Sequence, residues 1–304
     1  MMENNLCRTD LARESDAVSR GETIRGLEKE SRIQDGVELF EVRVTSENAA
    51  SVLQKPCGRY LTVGVGRVWE DEPVRFRTKA ELLARQIRTF LPQSDGCVLL
   101  VGLGNRHITA DAVGPMALEH VLVTRHLEEK QKSLFESLSL SRTAAITPGV
   151  LGETGMESAD IIRSLVFDLR PSAVLCVDAL ASRSLSRLAT TVQITDAGIS
   201  PGSGVGNRRD TLSRETLGVP VIALGVPTVV DAMTLALDVL ESVSSRDADL
   251  AALREEICPE GLNFFVTPKE TDEILREISS LIGYAINLAL HPNLEYEEML
   301  SLAG

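Results

Sequence analysis

The chain has 304 residues, of which 43% are hydrophobic and only 4% aromatic, and its formal net charge is −13. This length and composition support one large core built mostly from aliphatic side chains. Proteins that bind duplex nucleic acid present a basic face, so the acidic balance argues against direct nucleic-acid binding. No run of about 18 apolar residues occurs, so we expect no membrane-spanning helix.

The cysteines indicate a reducing, cytoplasmic environment. There are five of them, an odd number, widely spaced and without a CxxC pair. This pattern fits neither a disulfide framework nor a zinc site. The N-terminus carries no apolar stretch of the kind found in a secretory signal.

In chain order, strand patterns alternate with helical patterns after a polar N-terminal region. Residues 1–36 are charge-dense and predict a tail, a solvated helix or both. Strands are predicted at 37–44, 60–65, 98–101, 144–146, 173–177, within 186–194 and at 219–224. Helices are predicted at 79–91, 115–129, 158–169, 228–243 and 268–290. The sequence therefore predicts an α/β fold: a twisted, mainly parallel sheet with helices on both faces and extra N-terminal strands.

Two helix starts carry specific signals. Pro115 is expected at the first position of the helix 115–129, with Gly114 as its N-cap. The segment from Thr228 to Asp231 resembles a capping box, which predicts that the helix 228–243 begins there.

Two carboxylates follow predicted strands, at the sheet edge where open parallel sheets place their sites. Asp178 comes directly after the strand 173–177, and Asp111 lies in the loop that follows the strand 98–101. Two close carboxylates share a proton, so one can act as general base on water while the other protonates a leaving nitrogen. The pair therefore suits amide hydrolysis. Two structural alternatives remain open: Asp178 as a helix N-cap and Asp111 as an Asx-turn residue.

A second way to activate water is a bound metal ion, with Asp111 and Asp178 as ligands together with His107. One histidine and two aspartates form a weak metal signature, so we expect no metal and no other cofactor. The loop that begins VGLGN at Val101 starts like a dinucleotide-binding turn, but His107 stands where the third glycine belongs.

A glycine-rich segment runs from Asp196 to Asn207 and includes Gly202 and Gly204. Glycines allow close backbone approach to a phosphate or to an extended peptide. The segment lacks the GK[ST] ending of a P-loop, so nucleotide binding is not expected.

Several motifs, in this order, resemble the germination protease family of endospore-forming bacteria. They are GLGNRHITADAVGP (102–115), PGVLGETGMES (148–158), VDALASRS (177–184), DAGISPGSGVGNRR (196–209), ETLGVPVIALGVPTVVDA (215–232) and VTPKE (266–270). The N-terminal RTDLA (8–12) fits as well. The resemblance implies a fold like that of hydrogenase maturation endopeptidases and places two family aspartates, regarded as catalytic, at Asp111 and Asp178. We also expect Gly104, Asn105, Gly202 and Gly204 to support the loops or to bind substrate.

The resemblance further implies an atypical aspartic endopeptidase that degrades small acid-soluble spore proteins in the cytoplasm of the spore core. Family members are made as zymogens and assemble as homotetramers. The segment from Thr9 to Glu14 has the form of a family cleavage site, so we predict self-cleavage between Ala12 and Arg13. Residues 1–12 would then be a propeptide and residues 13–304 a single peptidase domain. The alternatives are a metal-dependent endopeptidase of the same fold and a non-enzymatic binding protein on this scaffold.

Overall fold

A computed structural model describes residues 9–201, 210–242, 257 and 264–303. Within these residues the chain forms a nine-stranded sheet. The strands are β1 (Leu27–Gln34), β2 (Val37–Val44), β3 (Gly58–Val63), β4 (Val98–Gly102), β5 (Thr143–Ile146), β6 (Ala173–Ser182), β7 (Val192–Thr195), β8 (Val221–Asp231) and β9 (Phe265–Val266).

The helices lie before, between and after these strands. They are α1 (Asp16–Ser19), α2 (Glu47–Leu53), α3 (Pro73–Arg88), α4 (Val113–Leu118), α5 (Arg125–Lys130), α6 (Lys132–Ser137), α7 (Leu151–Thr154), α8 (Ser158–Leu169), α9 (Arg214–Leu217), α10 (Ala232–Ser242), α11 (Thr271–Leu290) and α12 (Tyr296–Ala303). Short 3-10 turns form at Ala12–Glu14, Val68–Glu70, Thr109–Asp111 and Leu185–Arg187. No helix in the described part of the chain is long and apolar enough to cross a membrane.

The strand order is β1-β2-β3-β7-β8-β6-β4-β5, with β9 paired to β8. Strands β5, β4, β6 and β8 pair in parallel, and the N-terminal strands β1 to β3 join them through antiparallel β7. The parallel strands are apolar almost throughout, because helices cover the sheet on both faces. The predicted α/β fold with extra N-terminal strands is confirmed.

The core has two main layers. Helices α3, α4 and α11 pack on one face of the sheet, where Leu100, Val177 and Leu224 are buried. Helix α8 covers the other face, against Val101 and Cys176. Strand alternation sends Val177 to the first face and its neighbours Cys176 and Asp178 to the second.

The N-terminal region differs from its prediction as a tail or solvated helix. Residues 27–34 form β1, an edge strand whose residues are mostly exposed, so it shows no apolar alternation. Upstream, Leu11 and Ala12 are completely buried. Ala12 packs with Val42 and Tyr60 in a third apolar cluster. This docking depends on distant partners, which a local pattern does not reveal.

The predicted helix 115–129 is wrong in extent. Helix α4 is only six residues long, has Ala112 as its N-cap residue rather than Gly114, and ends at Leu118. The backbone that follows α4 is hydrogen-bonded to the side-chain amide of Asn287 on α11. This amide accepts from Leu122 N and donates to the His120 carbonyl, at 2.8 Å each. Since these backbone groups are used by α11, the helix does not continue.

The prediction of a capping box from Thr228 to Asp231 is also wrong in part. Strand β8 continues to Asp231, so Thr228 lies inside a strand and α10 begins at Ala232. The Asp231 carboxylate still caps the helix, accepting from Thr234 N at 2.9 Å.

Candidate active site

The loop after β4 folds back over the strand ends because two glycines permit close contact. Gly104 has a φ of +107°, and a Cβ there would lie 2.0 Å from the carbonyl oxygen of Asp111. A Cβ on Gly114 would lie 2.2 Å from the Leu103 carbonyl oxygen and 2.5 Å from that of Val177. Any larger side chain at either position would push the loop away from the sheet.

Asp111 ends the 3-10 turn Thr109–Asp111 and is half-buried. Its Oδ2 accepts a hydrogen bond from Asn105 N at 2.8 Å. The Asn105 side chain in turn accepts from His107 N at 2.8 Å. Asp111 therefore closes the loop through the backbone six residues upstream, which is not an Asx turn; the Asx turn in this loop is made by Asn105.

Asp178 lies within β6 and its side chain is on the same sheet face as Cys176. The residue is 2% exposed, and its Oδ1 accepts from Ala179 N at 2.9 Å. The strand runs on to Ser182, so Asp178 is not the N-cap of a helix. Burial raises the pKa of the Cys176 thiol, and the negative charge of Asp178 adds to that effect.

The fold brings the Asp111 turn against the strand that carries Asp178. Strand β4 ends where Gly102 pairs with Val177, one residue before Asp178. Beyond that point the turn Thr109–Asp111 contacts both β6 and β8. The hydroxyl of Thr228 on β8 donates to the Ala110 carbonyl at 2.6 Å and anchors the turn there.

The other predicted residues have different positions. The His107 side chain is 75% exposed, and its Nε2 lies 3.9 Å from Glu153 Oε1. Gly202 and Gly204 lie outside the described residues. Among the residues that the structure describes, no group of three or more His, Cys, Asp and Glu side chains is arranged to hold a metal ion.

The predicted processing site, Ala12 and Arg13, lies over the sheet near β7. Ala12 N donates to Gln193 Oε1 at 2.9 Å, and Ala12–Glu14 form a 3-10 turn. The guanidinium of Arg13 pairs with Glu38, which lowers the pKa of that carboxyl.

A family model described as germination protease matches residues 6–248. The chain belongs to the germination protease family. Similar proteins include the germination proteases of Caldanaerobacter subterraneus subsp. tengcongensis, at 38% identity over 97% of each chain, and of Clostridium perfringens strain 13, at 37% over 96% of this chain and 97% of the relative. The germination protease of Bacillus pumilus is 34% identical over 96% and 95%. The resemblance given by the motifs is therefore confirmed.

Membership of the germination protease family makes the chain a peptidase and supports a role in spore germination. Both carboxylates could be selected from the sequence, but Thr228 and Gln193, whose hydrogen bonds hold the nearby turn and the N-terminal segment, could not. The contact of Thr228 with the Asp111 turn was not predicted, because the sequence around Thr228 resembles a helix cap. Gln193 carried a weak signal, as a polar residue inside the apolar run of β7.

Proposed function

We propose that this protein is an endopeptidase that initiates the degradation of small acid-soluble spore proteins during germination, with Asp111 and Asp178 as its catalytic pair. The observation that carries the proposal is the docking of the Asp111 turn against β8 and against β6, the strand that holds Asp178. The resemblance to germination proteases supports the choice of substrate class. We place the enzyme in the cytoplasm of the spore core, as a homotetramer that needs no cofactor.

In the proposed reaction the pair holds one proton between its two carboxyl groups. The ionised carboxylate removes a proton from water as the water oxygen bonds to the substrate carbonyl carbon. The protonated carboxyl then gives its proton to the amide nitrogen as the C–N bond breaks. The products are a carboxylic acid and an amine, and the pair again holds one proton.

The test compares Asp111→Asn and Asp178→Asn with Asp168→Asn, a change of the same type at an exposed position on α8. Each catalytic variant should lose at least a hundredfold in kcat on a small acid-soluble spore protein, as expected for loss of general acid–base catalysis. Asp168→Asn should keep wild-type activity. Full activity in a folded Asp111 or Asp178 variant would remove that residue from the mechanism.

We also propose that the chain is a zymogen that cleaves itself between Ala12 and Arg13. That bond lies in a 3-10 turn, and Ala12 is completely buried. Processing therefore requires residues 9–14 to leave their contacts. Intact mass and N-terminal sequencing should show wild-type protein that begins at Arg13 and an Asp178→Asn variant that keeps residues 1–12. A variant that still loses the segment in the absence of other peptidases would contradict self-cleavage.

The metal-dependent alternative is tested on the wild-type protein. We expect activity to survive exhaustive chelation, with no stoichiometric metal in the purified enzyme by elemental analysis. Loss of activity on chelation, restored by one divalent metal, would favour Asp111 and Asp178 as metal ligands.

A further inference from the structure

The sheet ends in two edge strands within the described part of the chain, β1 and β5, and these two edges are protected differently. Strand β1 has the sequence LEKESRIQ, with exposed charged side chains along its length. Such side chains hinder pairing with another chain. Strand β5 has the sequence TAAI and pairs with β4 in a regular register, so it carries no charge, proline or bulge. The edge of β5 therefore lacks the protection that β1 has.

The backbone of β5 alternates between groups that face β4 and groups that point out of the sheet. In a parallel pair, every second residue bonds the neighbouring strand. Val98 N on β4 donates to the Arg142 carbonyl at 3.0 Å, so the even-numbered residues face β4. The N–H and carbonyl groups of the odd-numbered residues Thr143, Ala145 and Thr147 consequently point outward.

The first of these outward positions is covered, and the other two are open. Thr143 N donates to the Thr124 hydroxyl, and the Thr143 carbonyl accepts from Thr124 N, both at 3.1 Å. Among the residues that the structure describes, none is hydrogen-bonded to the outward backbone groups of Ala145 or Thr147. This half of the edge thus offers two donors and two acceptors to a further extended chain.

The open half of the edge leads to the candidate active site. The chain leaves β5 for the loop that contains α7, and Glu153 on α7 lies 3.9 Å from His107, in the loop that carries Asp111. Only β4 stands between β5 and β6, the strand that holds Asp178. A strand added outside β5 would lie three strand spacings, about 14 Å, from β6. Four or five extended residues span roughly that distance.

We propose that the edge of β5 at Ala145 and Thr147 binds an extended segment of the polypeptide substrate as an added strand, four or more residues away from the bond that is cut. Main-chain hydrogen bonds supply the affinity in this mode of binding. The inference rests on the proposed function, because an endopeptidase that cuts within a protein meets substrates long enough to reach both places. Ala145 and Thr147 are docking residues that touch no reacting atom.

The test compares processed wild type and Ala145→Pro on a small acid-soluble spore protein and on the hexapeptide Asp-Leu-Ala-Arg-Glu-Ser, the sequence of residues 10–15. Proline removes the outward N–H of residue 145 and leaves the bonds to β4, an orientation in which edge strands tolerate proline. The hexapeptide extends three residues, about 10 Å, to either side of the Ala-Arg bond and stops short of β5. Ala145→Pro should raise KM about tenfold for the protein and keep KM for the hexapeptide within about twofold.

Ser31→Pro is the matched control on the other edge. Ser31 is exposed on β1, and its N–H also points outward, because Thr45 N donates to the Gly26 carbonyl and fixes the alternation there. This variant should leave KM unchanged for both substrates. Thr147→Pro tests the same edge as Ala145→Pro without a change inside the strand, and it should also raise KM for the protein alone.

The outcomes separate the two proposals. A wild type that cleaves neither substrate would reject the proposed function and this inference with it. An active wild type beside folded Ala145→Pro and Thr147→Pro with unchanged KM for the protein would reject the inference alone. An equal rise in KM for both substrates would also overturn it, since it would indicate a displaced catalytic loop. A smaller assembly of the variants by light scattering would instead make this edge an interface between copies of the chain.

Discussion

Gly104 adopts a backbone conformation that only glycine holds at low cost, and it does so directly beneath the Asp111 turn. Its φ of +107° and the 2.0 Å approach of the Asp111 carbonyl to an added Cβ are separate obstacles to substitution. A positive φ alone costs a non-glycine residue about 1–3 kcal/mol. The close approach adds a displacement of the turn itself.

We predict that Gly104→Ala reduces activity by at least a hundredfold and lowers the free energy of unfolding by more than about 3 kcal/mol. Gly36→Ala is the matched control, since Gly36 also has a positive φ, +75°, but no atom within 4 Å of an added Cβ. It should cost about 1–2 kcal/mol and leave kcat unchanged. Urea unfolding and peptide hydrolysis measure both effects. Wild-type activity in Gly104→Ala would show that the turn tolerates displacement.

His291 provides a prediction about pH. It is 1% exposed, its Nδ1 accepts from Ser141 N at 3.2 Å, and burial lowers its pKa to about 4. In the unfolded chain a histidine titrates near pH 6.5. The unfolded state therefore binds the proton more tightly, so stability is complete above pH 6.5 and falls as the pH drops toward 4.

The loss on acidification should reach up to about 3 kcal/mol, at about 1.4 kcal/mol per pH unit. Urea unfolding of wild type and His291→Gln between pH 7 and pH 4.5 tests this. The variant should have lower stability at pH 7 but a flatter pH dependence. His126→Gln, at an exposed position on α5, should keep the wild-type slope. Equal slopes in wild type and His291→Gln would contradict the assignment.

Strand β8 connects the Asp111 turn to the sheet through the hydroxyl of Thr228. Thr228 is 1% exposed, and its bond to the Ala110 carbonyl is 2.6 Å long. Thr228→Val keeps the side-chain shape and leaves that carbonyl without its partner. We predict a fall in kcat of tenfold or more and a loss of about 1–3 kcal/mol in stability.

The matched control for Thr228→Val is Thr143→Val, since Thr143 is a buried threonine at the start of β5 whose hydroxyl donates to the Leu122 carbonyl. It lies at the opposite end of the parallel strands from the Asp111 turn. The control should lose similar stability while keeping kcat. Equal losses of kcat in the two variants would mean that the Thr228 bond has no particular role in catalysis.

The bounds of elements that bury one face in the core could be predicted from the local pattern of apolar residues. Strand β2 and helix α8 have the predicted bounds, because burial on one face imposes a period that can be counted. Strand β6 was predicted five residues too short, since the pattern broke at Asp178, a polar residue placed in a buried strand. The break itself marked the candidate site.

What the sequence did not reveal depended on partners distant along the chain. Asn287 ends α4 by bonding the backbone of residues 120 and 122, and Gln193 binds the N-terminal segment. Neither contact has a local signature, because each joins residues more than 160 positions apart. The pair Asp111 and Asp178 could be selected from strand ends, but the loop that carries Asp111 could not be oriented without Thr228.

For the whole molecule, the N-terminal segment is part of the packed structure as well as the predicted propeptide. Loss of residues 1–12 would remove the buried Leu11 side chain, which contributes roughly 1.5–3 kcal/mol. We predict that the Asp178→Asn chain melts several degrees lower after traces of wild type have removed its segment than before. Calorimetry of the same preparation before and after treatment makes this comparison without a change of sequence elsewhere. An unchanged melting temperature would show that the segment packs without stabilising the fold.

The covalent attachment of Thr9–Ala12 to the rest of the chain also sets how easily a free peptide can displace this segment. A segment tethered next to its own binding groups acts at an effective concentration on the order of millimolar. A free peptide with the same sequence must exceed that concentration to displace it. The full-length chain should therefore keep the segment bound even in the presence of the same free peptide at micromolar concentration. One cut at Ala12–Arg13 would end this advantage at once, because the released dodecapeptide is diluted to the concentration of the enzyme itself.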